Sequence, residues 1–328
     1  MAGGAATRSL LMVLGLLLVA PLTLGRPLDG VINRVNLQAA DYIGIVVTSA
    51  KVESLLNEDF TPSEYISEVD LAGRTFRIGT LEGANVIIVN TGSYPVNVAT
   101  GVQALIDNFP PLRGIVSVGN AGSTNENELE IGDVSVSEQV AYTGNWKWQP
   151  YEATGGDLTF GTYNAPKSGK NLLGSILYQK TKFYTPRGSS PDVLNIPVTS
   201  NWLQIASQLK NTELQKCLGT SASNCLPKSP KVRYATKTSS SEIYVSNLAY
   251  RQFIRNEFDA SSVDRSSSAV ALACWSNGVE FTVLRGISNY AGGSGSNSAF
   301  GELGAINVVK AAKAFLVILN RPRLAFAY

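Results

Sequence analysis

Apolar and polar positions follow two regimes along this chain. Short continuous apolar runs, "IGIVV" (Ile43–Val47), "ANVIIV" (84–89), "RGIVSV" (113–118) and "VEFTVL" (279–284), are bounded by Gly, Ser, Thr or Asn and suit strands buried on both faces. Between them, apolar residues recur every three or four positions. "VNVATGVQALIDNF" sets Val98, Val102, Leu105 and Ile106 on one side of a helix closed by Pro110 and Pro111, and "KVESLLN" begins another amphipathic helix at Lys51. "TFRIGTLEGANVIIVNTG" pairs two strands through a turn at Glu82-Gly83. This order predicts an α/β protein: a single domain with a central mixed β-sheet, largely parallel, flanked by helices in three layers.

From Asn145 to Lys237 the pattern weakens. "NAPKSGK", "TPRGSSPD" and "LPKSPK" are turn-rich breaks around one predicted helix, Trp202 to Cys217, so 145–237 is expected to be a loop-rich insertion decorating the rim of the sheet. Regularity returns with a helix in "EIYVSNLAYRQFIRN", a second in "AVALACWSNG", the strand "VEFTVLRGIS" and a last helix, "ELGAINVVKAAKAFLVILN". The start of the chain has a different logic: Arg8, the apolar "LLMVLGLLLVA" and the small residues of "TLG" predict a signal peptide over 1–25, cleaved before Arg26. The domain then spans 26–328, in the secretory pathway, with vacuole or extracellular space as its destination. The apolar tail "LAFAY" suits either a C-terminal vacuolar signal or simple packing. No later segment is long and apolar enough to span a bilayer, so no membrane partner is expected after cleavage.

With 44% apolar residues and a net charge of +2 over 328 residues, the chain can bury a large core and carries no basic surplus for nucleic acid. It contains no histidine, which removes Ser-His-Asp and Cys-His catalysis, histidine-ligated zinc and histidine pH switches together. Three cysteines cannot form a four-thiolate zinc site, and neither metal nor cofactor is expected. In an oxidising compartment Cys217 and Cys225, flanking the polar loop "LGTSASN", are expected to bond, and Cys274, in an apolar run, to remain a buried thiol. The chemistry left is that of carboxylates, Lys, Tyr or amides, or none.

Four stretches, in order, resemble the nucleoside phosphorylase superfamily, most closely its methylthioadenosine/S-adenosylhomocysteine nucleosidase branch: "IGIVVTSAKVESLL", "GIVSVGNAGSTNENELEIGDVSVSEQVAY", "VDRSSSAVALACWSNGVEFTV" and "LRGISNYAGG". The resemblance covers nearly all of the mature chain. The leader, the paired cysteines in a loop and "SSSEIYVSN" are similar to the plant bark and vegetative storage proteins built on that fold, which are nitrogen reserves. What this implies is a nucleoside phosphorylase-like architecture, a homo-oligomer, and a nucleoside or purine as ligand.

The resemblance also implies roles. In such nucleosidases an aspartate directly after Arg-x-Ile-Ser protonates the departing base; here Asn289 holds that position, and some purine phosphorylases use an asparagine there to bind a 6-oxopurine. Their sugar-binding Glu-Met-Glu is replaced by Asp264-Arg265-Ser266, with Arg265 a cation where a cationic transition state would form. Their Gly-x-Gly turn becomes Gly92-Ser93-Tyr94, followed by Pro95. The water-orienting carboxylate falls on Val52 without a gap and on Glu53 with a one-residue shift. Asn120, Ala121 and Gly122 are the expected approach to the base, with Ile243 and Tyr244 as its stacking wall and Arg285 tying strand ends together. The leading expectation is a storage protein with a degraded active site. The alternatives are an active nucleoside phosphorylase or N-ribosyl hydrolase with a shifted substrate, and a non-catalytic nucleoside or cytokinin binder.

Overall fold

In the strand β1 (Tyr42–Val47) every side chain is buried, which is why its sequence runs apolar without alternation. The computed structural model describes residues 28–38, 41–110, 112–149, 156, 158–159, 175–292 and 300–321; the expected leader over 1–25 and the "LAFAY" tail lie outside them. Around β1 the main sheet has eleven strands. The others are β2 (Thr61–Pro62), β3 (Glu68–Leu71), β4 (Arg74–Leu81), β5 (Ala84–Asn90), β6 (Leu112–Ser123), β7 (Val134–Tyr142), β8 (Asn195–Pro197), β9 (Val232–Ser240), β10 (Ser262–Asp264) and β11 (Phe281–Tyr290).

β1 lies between β5 and β6, parallel to both. The β4–β5 hairpin turns at Glu82 and Gly83, both at positive φ (52° and 73°), the left-handed conformation expected of a Gly-containing turn. On the other side the pairings β6–β11, β11–β7, β7–β9, β9–β10 and β10–β6 return to their starting strand, so five strands close into a ring.

Helices cover both faces, as the apolar spacing predicts. On one face, α1 (Asp29–Gln38), α3 (Pro95–Asn108) and α6 (Ser267–Asn277) supply Ile32, Val35, Val98, Val102, Val270 and Cys274 to a single cluster. On the other, α2 (Ala50–Asn57) and α7 (Gly301–Leu319) contribute Val52, Leu56, Phe315 and Leu316, together with Trp202 of α4 (Ser200–Ala206). The remaining helix, α5 (Leu248–Phe258), packs Ile254 and Phe258 against Val245 and Val263. Where α7 crosses β11 the backbones nearly touch: a Cβ on Gly286 would lie 1.9 Å from the Gly304 carbonyl oxygen, so only glycine fits.

The structure departs from the sequence reading in four places. Within 145–237, β8 and most of β9 are strands of the main sheet rather than rim decoration. β9 reads "VRYATKTSS", which is polar, yet its hydroxyls are buried in pairs with those of β7: Ser135–Thr236 at 2.6 Å and Ser137–Thr238 at 2.7 Å. A buried hydroxyl with a partner escapes the desolvation penalty, so this strand needs no apolar run. The helix expected over Trp202–Cys217 ends at Ala206, continues as a 3₁₀ turn to Asn211, and then extends. Asn307 of α7 captures that extended piece, accepting from Gln215 N (2.7 Å) and donating to Gln215 O (2.9 Å). In "EIYVSNLAYRQFIRN" the helix starts only at Leu248, where Asn247 caps it by accepting the N–H of Tyr250 (2.8 Å). Finally, α1 is a helix that the apolar spacing does not predict; its buried face has only Ile32 and Val35, too few for a period to register.

Cys217 and Cys225 form the expected disulfide, with Cα atoms 3.9 Å apart, and Cys274 is a buried free thiol whose pKa burial pushes up. The bridge closes a short loop, and the chain-entropy model assigns it about 2–3 kcal/mol. Replacing both cysteines with serine should lower the unfolding free energy by about that amount in denaturant titrations. An unchanged midpoint would show that the loop is constrained without the bond.

Candidate functional site

A cleft of about 260 Å³ opens where β1, β6 and β11 end and where the chain leaves β5, β9 and β10. Strand ends are where the polar backbone and loop side chains of an α/β sheet become available to a ligand. One end is built by β6 and β11. Their register places Gly286 opposite Asn120, Ile287 opposite Ala121 and Asn289 opposite Gly122, with a bulge between Ile287 and Asn289 that re-aims Ser288 and Asn289. Asn289 Oδ1 accepts from Ser288 Oγ at 3.1 Å, and Asn120 carries a buried Oδ1 with no protein partner. Val263, Ala291, Ile243 and Val245 also line the cleft, and Tyr244 lines it between this end and Arg265. Ile243 and Tyr244 therefore do line the cleft, from an extended segment rather than a helix, and Tyr244 is 71% exposed.

The chain-adjacent residues Asp264, Arg265 and Ser266 have three different positions. Asp264 is buried and paired with Arg285, itself 0% exposed, whose Nε donates to Asp264 Oδ2. Arg285 also donates to Ser117 O (3.1 Å), Leu284 O (2.9 Å), Ser117 Oγ (2.9 Å) and Ser266 Oγ (3.1 Å), so it does tie β11, β6 and β10 together. The other Asp264 oxygen accepts the N–H groups of Ser266 and Ser267, both at 3.1 Å, at the start of α6. Burial pushes the Asp264 carboxyl up, but the Arg285 charge and hydrogen bonds from Ser267, Arg285 and Ser240 outweigh it and hold the pKa below the usual carboxylate value. This carboxylate is structural.

Ser266 is buried and spent on Arg285. Arg265 points the other way, into the cleft. Its Nη2 donates to Ser93 Oγ at 3.1 Å, and its guanidinium carbon lies 4.7 Å from the Tyr94 ring centre and 5.6 Å from that of Tyr244. The altered turn thus has a function in the fold: Gly92 takes φ +68°, Pro95 starts α3, and Ser93 and Tyr94 face Arg265.

Glu53 does not line the cleft. Its two oxygens are taken by Arg77 Nη2 (2.8 Å) and Asn90 Nδ2 (2.6 Å), and its neighbour Val52 is buried in the core beneath α2. Sequence reasoning did not single out Thr48 and Ser49, which line the cleft just beyond β1, nor Ser93 as a lining group. Their signal was positional: small hydroxyls immediately after buried parallel strands. Ser49 also caps α2, accepting the Val52 N–H at 3.3 Å.

The family model described as "Phosphorylase superfamily" matches residues 42–320. Bark storage protein A of Populus deltoides is 40% identical over 298 residues, 90% of this chain and 94% of that protein. A 5'-methylthioadenosine/S-adenosylhomocysteine nucleosidase of Staphylococcus aureus is 25% identical over 268 residues, 81% and 94% of the two chains. Among solved structures, the nucleosidase of Colwellia psychrerythraea 34H in complex with adenine superposes with a TM-score of 0.60 at 20% identity, covering 85% of this chain and 95% of that one.

Proposed function

The chain belongs to the phosphorylase superfamily, and on that premise we propose that it is a storage protein of the bark and vegetative type, whose nucleoside cup persists without the groups that would cleave a nucleoside. The observation that carries this is the absence of a free carboxylic acid: among the described lining residues, Asp264 is the one carboxylate and it is committed to Arg285, while Asn289, at the position of the base-protonating aspartate, is an amide. Breaking an N-glycosidic bond puts negative charge on the departing base, and general acid catalysis there is typically worth 10²–10⁴-fold. An amide can hydrogen-bond that base but cannot protonate it. The cup itself, with the unpartnered Asn120 Oδ1 and the Ile243 and Tyr244 wall, suits a purine or nucleoside, the class of ligand held by the Colwellia relative.

The expected leader over 1–25 extends the reading to the secretory pathway, with the vacuole or the space outside the cell as destination, and the family resemblance extends it to a homo-oligomer. Purified mature protein incubated with a panel of nucleosides including methylthioadenosine, with and without phosphate, should release free base at rates far below the ~10 s⁻¹ typical of enzymes. Chromatographic detection of base release near that rate would replace the storage reading with that of an active nucleosidase or phosphorylase.

A further inference from the structure

Arg265 and Asp264 are the only charged side chains among the described residues lining the cleft, and Asp264 is already neutralised by Arg285. The cleft therefore carries one uncompensated positive charge. The described contacts of Arg265 are the Ser93 hydroxyl and the two tyrosine rings, none of them a carboxylate. A guanidinium has five N–H donors in its plane, and Ser93 occupies one. The rings of Tyr94 and Tyr244 hold the group by cation–π contact, leaving the in-plane donors to whatever enters the cleft.

The hydroxyls nearby are oriented by the same contacts. Ser93 Oγ accepts from Arg265 and Ser49 Oγ accepts from the Val52 N–H, so each retains its own proton to donate, and Thr48 lines the cleft beside them. One end of the cleft thus gathers a cation and hydroxyl donors at the ends of β1 and β5. The opposite end is the amide and apolar surface around Asn289 at the β6–β11 junction. β5 is two strands from β6, across β1, which separates the two ends by roughly 10 Å. That span suits a ligand with a planar polar base at one end and a compact anion at the other.

We propose that the cleft binds a purine nucleoside monophosphate, with Arg265, helped by Ser93, Ser49 and Thr48, reading the phosphate. This rests on the reading of the cleft as a nucleoside cup and adds the charged end. Phosphate offers several acceptor oxygens and about two negative charges, the partner an in-plane guanidinium fork pairs with most strongly. A neutral nucleoside would leave those donors to water.

The test is isothermal titration of the mature protein with the matched pairs adenosine and AMP, inosine and IMP, and with inorganic phosphate alone. The monophosphate should bind about tenfold or more tightly than its nucleoside at low salt, and the difference should shrink as salt is added. Arg265→Met should bring the ratio of monophosphate to nucleoside affinity, measured within the same variant, down to about one, and Arg265→Lys should retain part of the preference, with thermal melts verifying that both variants are folded. Nucleosides binding as tightly as their monophosphates, or an Arg265→Met variant that keeps the preference, would overturn the phosphate assignment and leave the nucleoside cup standing. Inorganic phosphate binding as tightly as AMP would also overturn it, in favour of a bare anion site. No binding of any probe to the folded protein would overturn both the phosphate assignment and the cup.

Discussion

Replacing Arg285 with alanine should cost about 3–5 kcal/mol of folding stability, the usual consequence of leaving half of a buried ion pair behind. The guanidinium is wholly buried and holds Asp264, Ser117, Ser266 and the Leu284 carbonyl at once, so its loss strands a carboxylate and several acceptors in the interior. At about 2–4 °C per kcal/mol for a domain of this size, calorimetry should find the melting temperature lower by roughly ten degrees. Arg265→Ala provides the contrast: that side chain is half-buried at the cleft and has no carboxylate partner, so its removal should shift melting far less. Replacing the pair together, Asp264→Leu with Arg285→Met, should recover much of the loss, because the desolvated charge disappears with its partner. The pH dependence has a defined sign. Asp264 has a lowered pKa in the folded protein, so its contribution is present above the ordinary carboxylate pKa of about 4 and is lost as pH falls below it. Asp264→Asn should flatten the acid limb of the stability profile; an unaltered limb would place that titration elsewhere.

Asn289→Asp by itself should not produce an efficient nucleosidase, even though it restores a proton donor at the tip of β11. The sugar end would still present Arg265, a cation facing a ribose that becomes cationic in the transition state, and no free carboxylate to oppose it. In the unmodified protein the missing acid, the missing sugar carboxylate and the unfavourable charge together should hold the rate down by well over ~4 kcal/mol, about a thousandfold, although residues that act as a unit do not add simply, and Asn289→Asp removes only the first of these. Combining Asn289→Asp with Arg265→Met and Ser266→Glu should begin to recover base release. Ser266 is the demanding position, since its hydroxyl accepts from Arg285 and a longer side chain must leave that contact to reach the ligand. Activity is the readout, with thermal melts separating a poor catalyst from an unfolded one. Fast hydrolysis by Asn289→Asp alone would show that the cleft was competent throughout and lacked one proton.

What the chain determined by itself is whatever depends on near neighbours. Continuous apolar runs made β1, β5, β6 and β11 visible, since strands covered on both faces have no polar side to show. The spacing of Val98, Val102 and Leu105 marked α3, the cysteines in one short loop marked their bond, and the lack of histidine removed whole classes of mechanism. β9 was missed because its burial depends on hydroxyls more than ninety residues away on β7, as with Ser135 and Thr236 at a separation of 101. The site behaves likewise. Glu53 was a candidate carboxylate until Arg77 and Asn90 were seen to claim both its oxygens. Asp264, Arg265 and Ser266 are adjacent in sequence, yet the end of β10 turns the first and third onto Arg285 and sends the second to Ser93, 172 positions away. A hydrophobic period is written in the chain because solvent acts on each segment separately, whereas the state of a charged side chain depends on which distant partner reaches it first, and only the folded sheet brings those partners together.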